Sequence, residues 1–325
     1  MAHQIDFSNN RANIAFVGET PWHGLGECLP EGEPIEVWKV AAGMNWEIQR
    51  APVQYRIDTP AGKAYVKMPE RDVLYRSDTM AGLGVVSDSY QIVQPGEVLE
   101  FFRDLVTAYD YQLEVAGCLF GGKRFWALAR TPDSDFVADR RDTMRKYLLL
   151  CTSADGSLAT VGEDTSVRVV CNNTLSLSLG EKNDSRIKIS HRSAFNADEV
   201  KRRLGISRET FAEFMDTMRT LAATPVSRIV AAKATVELFP TTRKDVDPVS
   251  TFPVQSVLSL FNGKARGSQF SGVQGTAYGW LQAVTEFVDH QARAHNNDNR
   301  LNNAWFGRGS DLKRDAVRVI TELAA

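Results

Sequence analysis

The feature that most constrains the fold is the run YQLEVAGCLFGGKRFWALART, residues 111–131. Two stretches of period-two alternation flank Gly121-Gly122. Successive side chains of a strand point to opposite faces, so each stretch offers one face for burial. Glycine adopts the positive φ angles of a tight turn at no steric cost, and the spacing predicts an antiparallel hairpin. A lone hairpin is marginal in water, so the rest of the chain has to supply partners for it.

The flanking sequence supplies them. Upstream, QPGEVLEFFRDLVTAY begins a helix at Pro95 and puts Val98, Phe101, Phe102 and Leu105 on one helical face. Downstream, KYLLLCTSADGSLATVGEDTSVRVVCNNTLSLSL predicts two or three further strands and then a helix capped by Asn172 or Asn173. In the first 85 residues, EPIEVWKVAAG predicts one helix after Pro34, while WEIQRAPVQYRI, KAYVKM and DVLYRS are strand-like runs of a small sheet. From about residue 197 onward the apolar periodicity is helical. The expected fold class is α+β, an antiparallel sheet core with packed helices and a mainly helical C-terminal half. The expected regions are a small β-rich N-terminal region (1–85), an α+β core (86–195) and a helical C-terminal region (196–325), or one continuous domain. A length of 325 residues suits one elaborate domain or two closely packed ones.

Composition excludes several classes. Hydrophobic residues at 43% and charged residues at 24% fit an ordinary globular chain rather than a disordered or collagen-like one. No run of 18 apolar residues and no signal-peptide pattern occurs, so the expectation is a cytoplasmic protein without a membrane span. Cys28, Cys118, Cys151 and Cys171 are scattered, without the close spacing of a zinc set, which suits a reducing compartment. Net charge is -2, too low for a uniformly cationic nucleic-acid coat. Its distribution is uneven: residues 1–120 carry 9 Lys+Arg against 17 Asp+Glu, and the remainder 29 against 23.

Three basic segments are candidate phosphate contacts. The Gly-rich stretch NGKARGSQFSGVQGT, with Lys264, Arg266 and Ser268, leads into a helix N-terminus, where free amides favour anions; a flexible connector is the competing reading. A second Arg-Gly-Ser occurs at 308–310, with Trp305 and Phe306 before it and Arg308, Lys313 and Arg314 around the start of the last helix. Aromatic faces beside cations suit single-stranded nucleic acid, because bases stack while phosphates pair; Trp305 and Phe306 as buried anchors are the competing reading. Residues 182–203 carry seven Lys+Arg against three Asp+Glu, with Lys182, Arg186, Lys188 and Arg192 able to track a phosphate backbone; a solvated charged face is the competing reading. RRDTMRK, residues 140–146, reads as a basic loop between strands.

Catalytic patterns are sparse. No Walker loop and no G-x-S-x-G elbow is present, and no metal or cofactor is assigned. The helix GTAYGWLQAVTEFVDHQARAH is amphipathic: Ala277, Trp280, Leu281, Val284, Phe287 and Val288 face one side, and Gln282, Glu286, Asp289, His290 and Arg293 the other. The polar side reads as solvated or partner-facing. Glu286 and His290, four residues apart, could approach one metal, but the sequence has no second carboxylate-histidine pair at helical spacing. His23 in TPWHGLG could serve as acid, base or ligand, or belong to a tight turn.

TPWHGLG, YQIVQPGEVLEFFRDLV, VRVVCNNTLSLSL, KISHR, GTAYGWLQAVTEFVDH and FGRGSDLKRDA, in this order over nearly the whole chain, resemble the phage/plasmid-like protein family, a domain of unknown function carried by bacteriophages, plasmids and their hosts. The resemblance implies a setting in replication, recombination or counter-defence and transfers no residue roles. The element order is also similar to the core of ring-forming single-strand annealing proteins, an analogy of architecture alone. The expected function is non-catalytic binding of single-stranded nucleic acid by a mobile-element protein, with a homo-oligomer as a further expectation. The alternatives are a metal-dependent enzyme on nucleotides or nucleic acid, and a protein-binding counter-defence factor with a nucleic-acid-mimicking acidic front.

Overall fold

A computed structural model of the chain describes residues 6–7, 11–18, 25–168, 173–176, 186–203, 208–243, 245–294 and 297–324. In chain order the first elements are β1 (Ile14–Val17), β2 (Glu27–Leu29), α1 (Ile35–Ala41), β3 (Ile48–Thr59), β4 (Gly62–Arg76), β5 (Gly82–Ser87) and α2 (Pro95–Ala108). The central strands follow: β6 (Gln112–Leu119), β7 (Arg124–Phe136), β8 (Thr143–Ser153), β9 (Thr160–Arg168), β10 (Asn173–Ser176) and β11 (Arg186–Ile189). The rest is helical: α3 (Ala197–Arg203), α4 (Arg208–Ala223), α5 (Arg228–Leu238), α6 (Phe252–Ser259), α7 (Ala277–Glu286), α8 (Asn297–Phe306) and α9 (Arg308–Ala324). The fold is α+β.

The main sheet runs in the order β10-β9-β8-β7-β6-β1-β2, with β11 also on β9. It is mixed: β1 and β2 pair in parallel, and the other pairs are antiparallel. The expected hairpin is β6–β7, closed by Leu119 opposite Arg124. Its turn holds Phe120, Gly121 and Gly122 all at positive φ, which the two glycines adopt without strain. A second sheet, β3-β4-β5, has its own strand pairing but shares the core of the first through Ile48, Leu74, Leu83 and Val86. The first 85 residues therefore divide between two sheets: β1 joins the main sheet through β6.

One face of the main sheet carries Ala15, Leu113, Ala116, Cys118, Phe125, Ala127, Ala129, Leu148 and Leu150, and packs on Trp38 of α1 and on Val98, Phe101, Phe102 and Leu105 of α2. These four α2 residues form the face expected from the sequence, and Gln94 with Glu97 makes a capping box at the helix start. The C-terminal helices close a core of their own around Phe214, Met218, Trp280, Leu281, Val284 and Ile320.

Two expectations are corrected here. Asn173–Ser176 is a strand antiparallel to β9, not the start of a capped helix; Thr174 and Ser176 alternate with Leu175, and the edge of β9 offers pairing groups. Asn172 lies outside the described residues. The basic stretch 140–146 is a loop only in its first half: Lys146 is fully buried in β8 and pairs with Asp164 at 3.3 Å.

Candidate functional site

The opposite face of the main sheet builds a cavity. Directly paired residues of antiparallel strands project to the same side, so register assigns the face. One row runs Val161, Cys151, Trp126, Gly117, Ile14. A row further along runs Thr165, Tyr147, Arg130, Gln112. Arg145, two residues before Tyr147, lies on the same side. This face is capped by Trp305 of α8, which meets Trp126 edge to face at 5.0 Å between ring centroids.

Between sheet and helices lies a cavity of about 800 Å³, within the range that takes a small molecule or nucleotide. Phe16, Trp126, Leu128, Tyr147 and Trp305 wall it, with Glu114, Arg130, Arg145, Asp289 and His290 among its polar groups. Burial first, and then the neighbouring Glu114 carboxylate, raise the Tyr147 phenol above its usual range, so it stays protonated as a donor.

The arginines differ in what holds them. Arg103, at the rim, is taken up by Glu36 and Glu100. Arg103 and, after it, Lys39 hold the Glu100 carboxyl down at about 2. Arg130 instead donates to the neutral Gln112 amide oxygen, and Arg145 lies beside the neutral phenol of Tyr147. Neither Arg130 nor Arg145 has a carboxylate partner among the described residues. Two half-buried guanidiniums thus stand in an aromatic-walled cavity without an ion pair, although the Glu114 carboxylate reaches the same Tyr147 phenol; guanidiniums free of an ion pair are groups that can take an anion.

The family model of the domain of unknown function DUF932 matches residues 82–305, most of the chain. The chain belongs to the DUF932 family. The matched span includes β6 to β9 and α8, and so most of the cavity wall. No curated protein and no solved structure matches the chain.

Among the described residues expected from sequence to bind nucleic acid, only Trp305 belongs to the lining of this cavity. Trp305 lines it, half-buried against Trp126. Arg308, just beyond α8, is exposed, as are Lys264, Arg266, Lys188 and Arg192. Register places Lys188 opposite Val161, on the cavity face of the sheet, and Arg186 opposite Glu163. Arg314 pairs with Asp311, and Ser268 donates to the Gly263 carbonyl at 2.9 Å. The side chain of Phe306, together with Lys182 and His23, lies outside the described residues.

Lys313 needs correction as a solvent-facing cation. It is 4% exposed and binds Asp289 at 2.8 Å, which makes it a structural ion pair rather than a phosphate contact. Its partner's helix is corrected with it. Every residue of α7 is buried, Gln282 and Glu286 included, because helices pack on its polar side as well. Glu286 accepts the backbone N–H of Arg266 at 3.0 Å, and Asp289 takes the ammonium of Lys313. The apparent solvated face is a set of buried polar contacts to neighbouring segments.

Both Arg-Gly-Ser segments reach this helix. Arg266 bonds Glu286, and a Cβ added to Gly309 would meet the Val288 side chain at 2.9 Å. Positions two apart face different sides of a helix, so the two segments flank it rather than meet. Arg130, Tyr147 and Trp126 were not singled out from sequence, and Arg145 entered only as part of the basic stretch 140–146. Their signal was the hairpin alternation itself, since Trp126, Leu128 and Arg130 share one face by period two.

Proposed function

We propose that this chain binds single-stranded nucleic acid without acting on it chemically, with a nucleotide of the strand entering the cavity. The observation that carries the reading is the pair Arg130 and Arg145, without carboxylate partners among the described residues, beside the rings of Tyr147, Trp126 and Trp305. Single-strand sites combine cations for phosphate with rings for the bases. The exposed Lys188, Arg192, Lys264, Arg266 and Arg308 would extend the phosphate path outside the cavity. The resemblance of its motifs to phage- and plasmid-borne proteins favours a setting in replication or recombination of a mobile element, and the reading extends to a cytoplasmic homo-oligomer.

A metal-dependent enzyme has less to draw on. Glu286 and Asp289 are engaged with Arg266 and Lys313, and among the described residues no group of three His, Cys, Asp or Glu stands together. The counter-defence alternative rests on the acidic N-terminal third alone.

A salt titration with a labelled oligonucleotide tests the reading. Affinity should fall steeply with salt, as counterion release demands, and Arg130→Ala with Arg145→Ala should weaken binding and flatten that dependence. Absence of binding at about 50 mM salt sinks it.

A further inference from the structure

The β3–β4 hairpin extends well beyond the sheet to which it belongs. β5 pairs with β4 only from Arg71 to Tyr75, whereas β3 and β4 stay paired out to Thr59 opposite Gly62. The distal part is a two-stranded ribbon, and most of its residues are exposed. A register shift between Pro52 and Gln54 separates it from the base. At the base, Arg50 is fastened to Asp72 and to the carbonyls of Asp88 and Tyr90.

Register gives the ribbon two unlike faces. One carries Val53, Tyr55 and Ile57 with Ala64, Val66 and Met68. The other carries Gln54, Arg56 and Asp58 with Lys63, Tyr65 and Lys67. On this second face Arg56 lies directly opposite Tyr65, and Lys63 and Lys67 lie two residues to either side of it. Tyr65 is 70% exposed, the second most exposed large hydrophobic side chain among the described residues. None of Arg56, Lys63 and Lys67 makes an ion pair or side-chain hydrogen bond among the described residues.

Charge decides what this face suits. In an N-terminal third with 17 Asp+Glu against 9 Lys+Arg, the ribbon from 53 to 68 carries three cations against the single carboxylate of Asp58. An exposed ring beside three cations without ion pairs parallels the cavity, where Arg130 lies opposite Tyr147 and Arg145 two residues before it.

We propose that the basic face of this ribbon, centred on Tyr65, is a second contact for single-stranded nucleic acid. Tyr65 stacks on a base while Arg56, Lys63 and Lys67 neutralise the flanking phosphates. The inference rests on the nucleic-acid reading above, and its test separates the two.

Anisotropy of a fluorescein-labelled oligothymidylate is measured against salt for the full chain, for Arg56→Ala/Lys63→Ala/Lys67→Ala and for Tyr65→Ala. All substitutions are at exposed positions, and melting curves verify the fold. The triple variant should flatten the slope of log affinity against log salt by about 2, since each phosphate contact on a single strand contributes about 0.7. Tyr65→Ala should lower affinity about tenfold with little change in slope, and Tyr65→Phe should bind as the wild type does. If the wild type binds and both ribbon variants match it, the ribbon inference is overturned while the cavity reading stands. If the wild type does not bind, both fall. If the variants bind normally but lose self-association in sedimentation, the ribbon joins copies of the chain and the inference is overturned.

Discussion

Asp289 and Lys313 show how much burial changes the meaning of a side chain. Both lie within 6% of full burial and bind at 2.8 Å, and Asp289 also borders the cavity beside His290. Removing one partner strands the other charge in a low-dielectric setting, which typically costs about 3–5 kcal/mol, whereas replacing both with apolar groups is often far milder. Lys313→Met should therefore lower the unfolding free energy in urea by about 3 kcal/mol or more, and Asp289→Leu/Lys313→Met should recover part of that loss. A loss in the double variant equal to the sum of the losses in Asp289→Leu and Lys313→Met would show that the pair is not coupled. The sequence showed Lys313 near the start of a helix, where a cation is commonly solvated. Only the approach of α9 to the turn after α7 identified its partner, 24 residues away.

At the scale of elements, α7 is fixed by its first turn. Thr276 caps it, accepting the N–H of Gly279 at 3.0 Å. A Cβ on Gly279 would stand 1.8 Å from the Val273 carbonyl oxygen, so the loop before the helix passes directly over this residue. The close approach, rather than a left-handed backbone, is what requires glycine here. Gly279→Ala should destabilise the protein by at least about 2 kcal/mol, read as a lowered midpoint in thermal unfolding, although alanine is the better helix former. An unchanged midpoint would mean that the loop yields without cost. The amphipathic period of this helix was legible from Ala277 to Val288, and its apolar side is core as the pattern required. Its polar side misled, because sequence periodicity separates polar from apolar but does not distinguish solvent from a buried partner. The β6–β7 hairpin and α2 were legible for a related reason: their turn, cap and face are written in neighbouring residues.

At the scale of the whole molecule, Trp305 joins the helical half to the open face of the sheet. It is partly buried against the cluster containing Trp126, Leu128 and Tyr147, and it also contacts the helical core. Trp305→Ala should cost roughly 2–3 kcal/mol, less than a fully buried tryptophan, and should speed amide exchange in α8 more than in α2. Exchange that rises equally in both would place the loss in global stability instead of in this junction. The sequence alone determined the period of each segment, and with it the α+β class, the central hairpin and the amphipathic helices, because these depend on neighbours along the chain. Tertiary structure decided the rest: that β1 joins the sheet of β6, that Lys313 is buried, and that Arg130, Arg145, Tyr147 and Trp305 share one cavity. Those relations link residues far apart in sequence, through strand pairing and helix packing that no local pattern encodes.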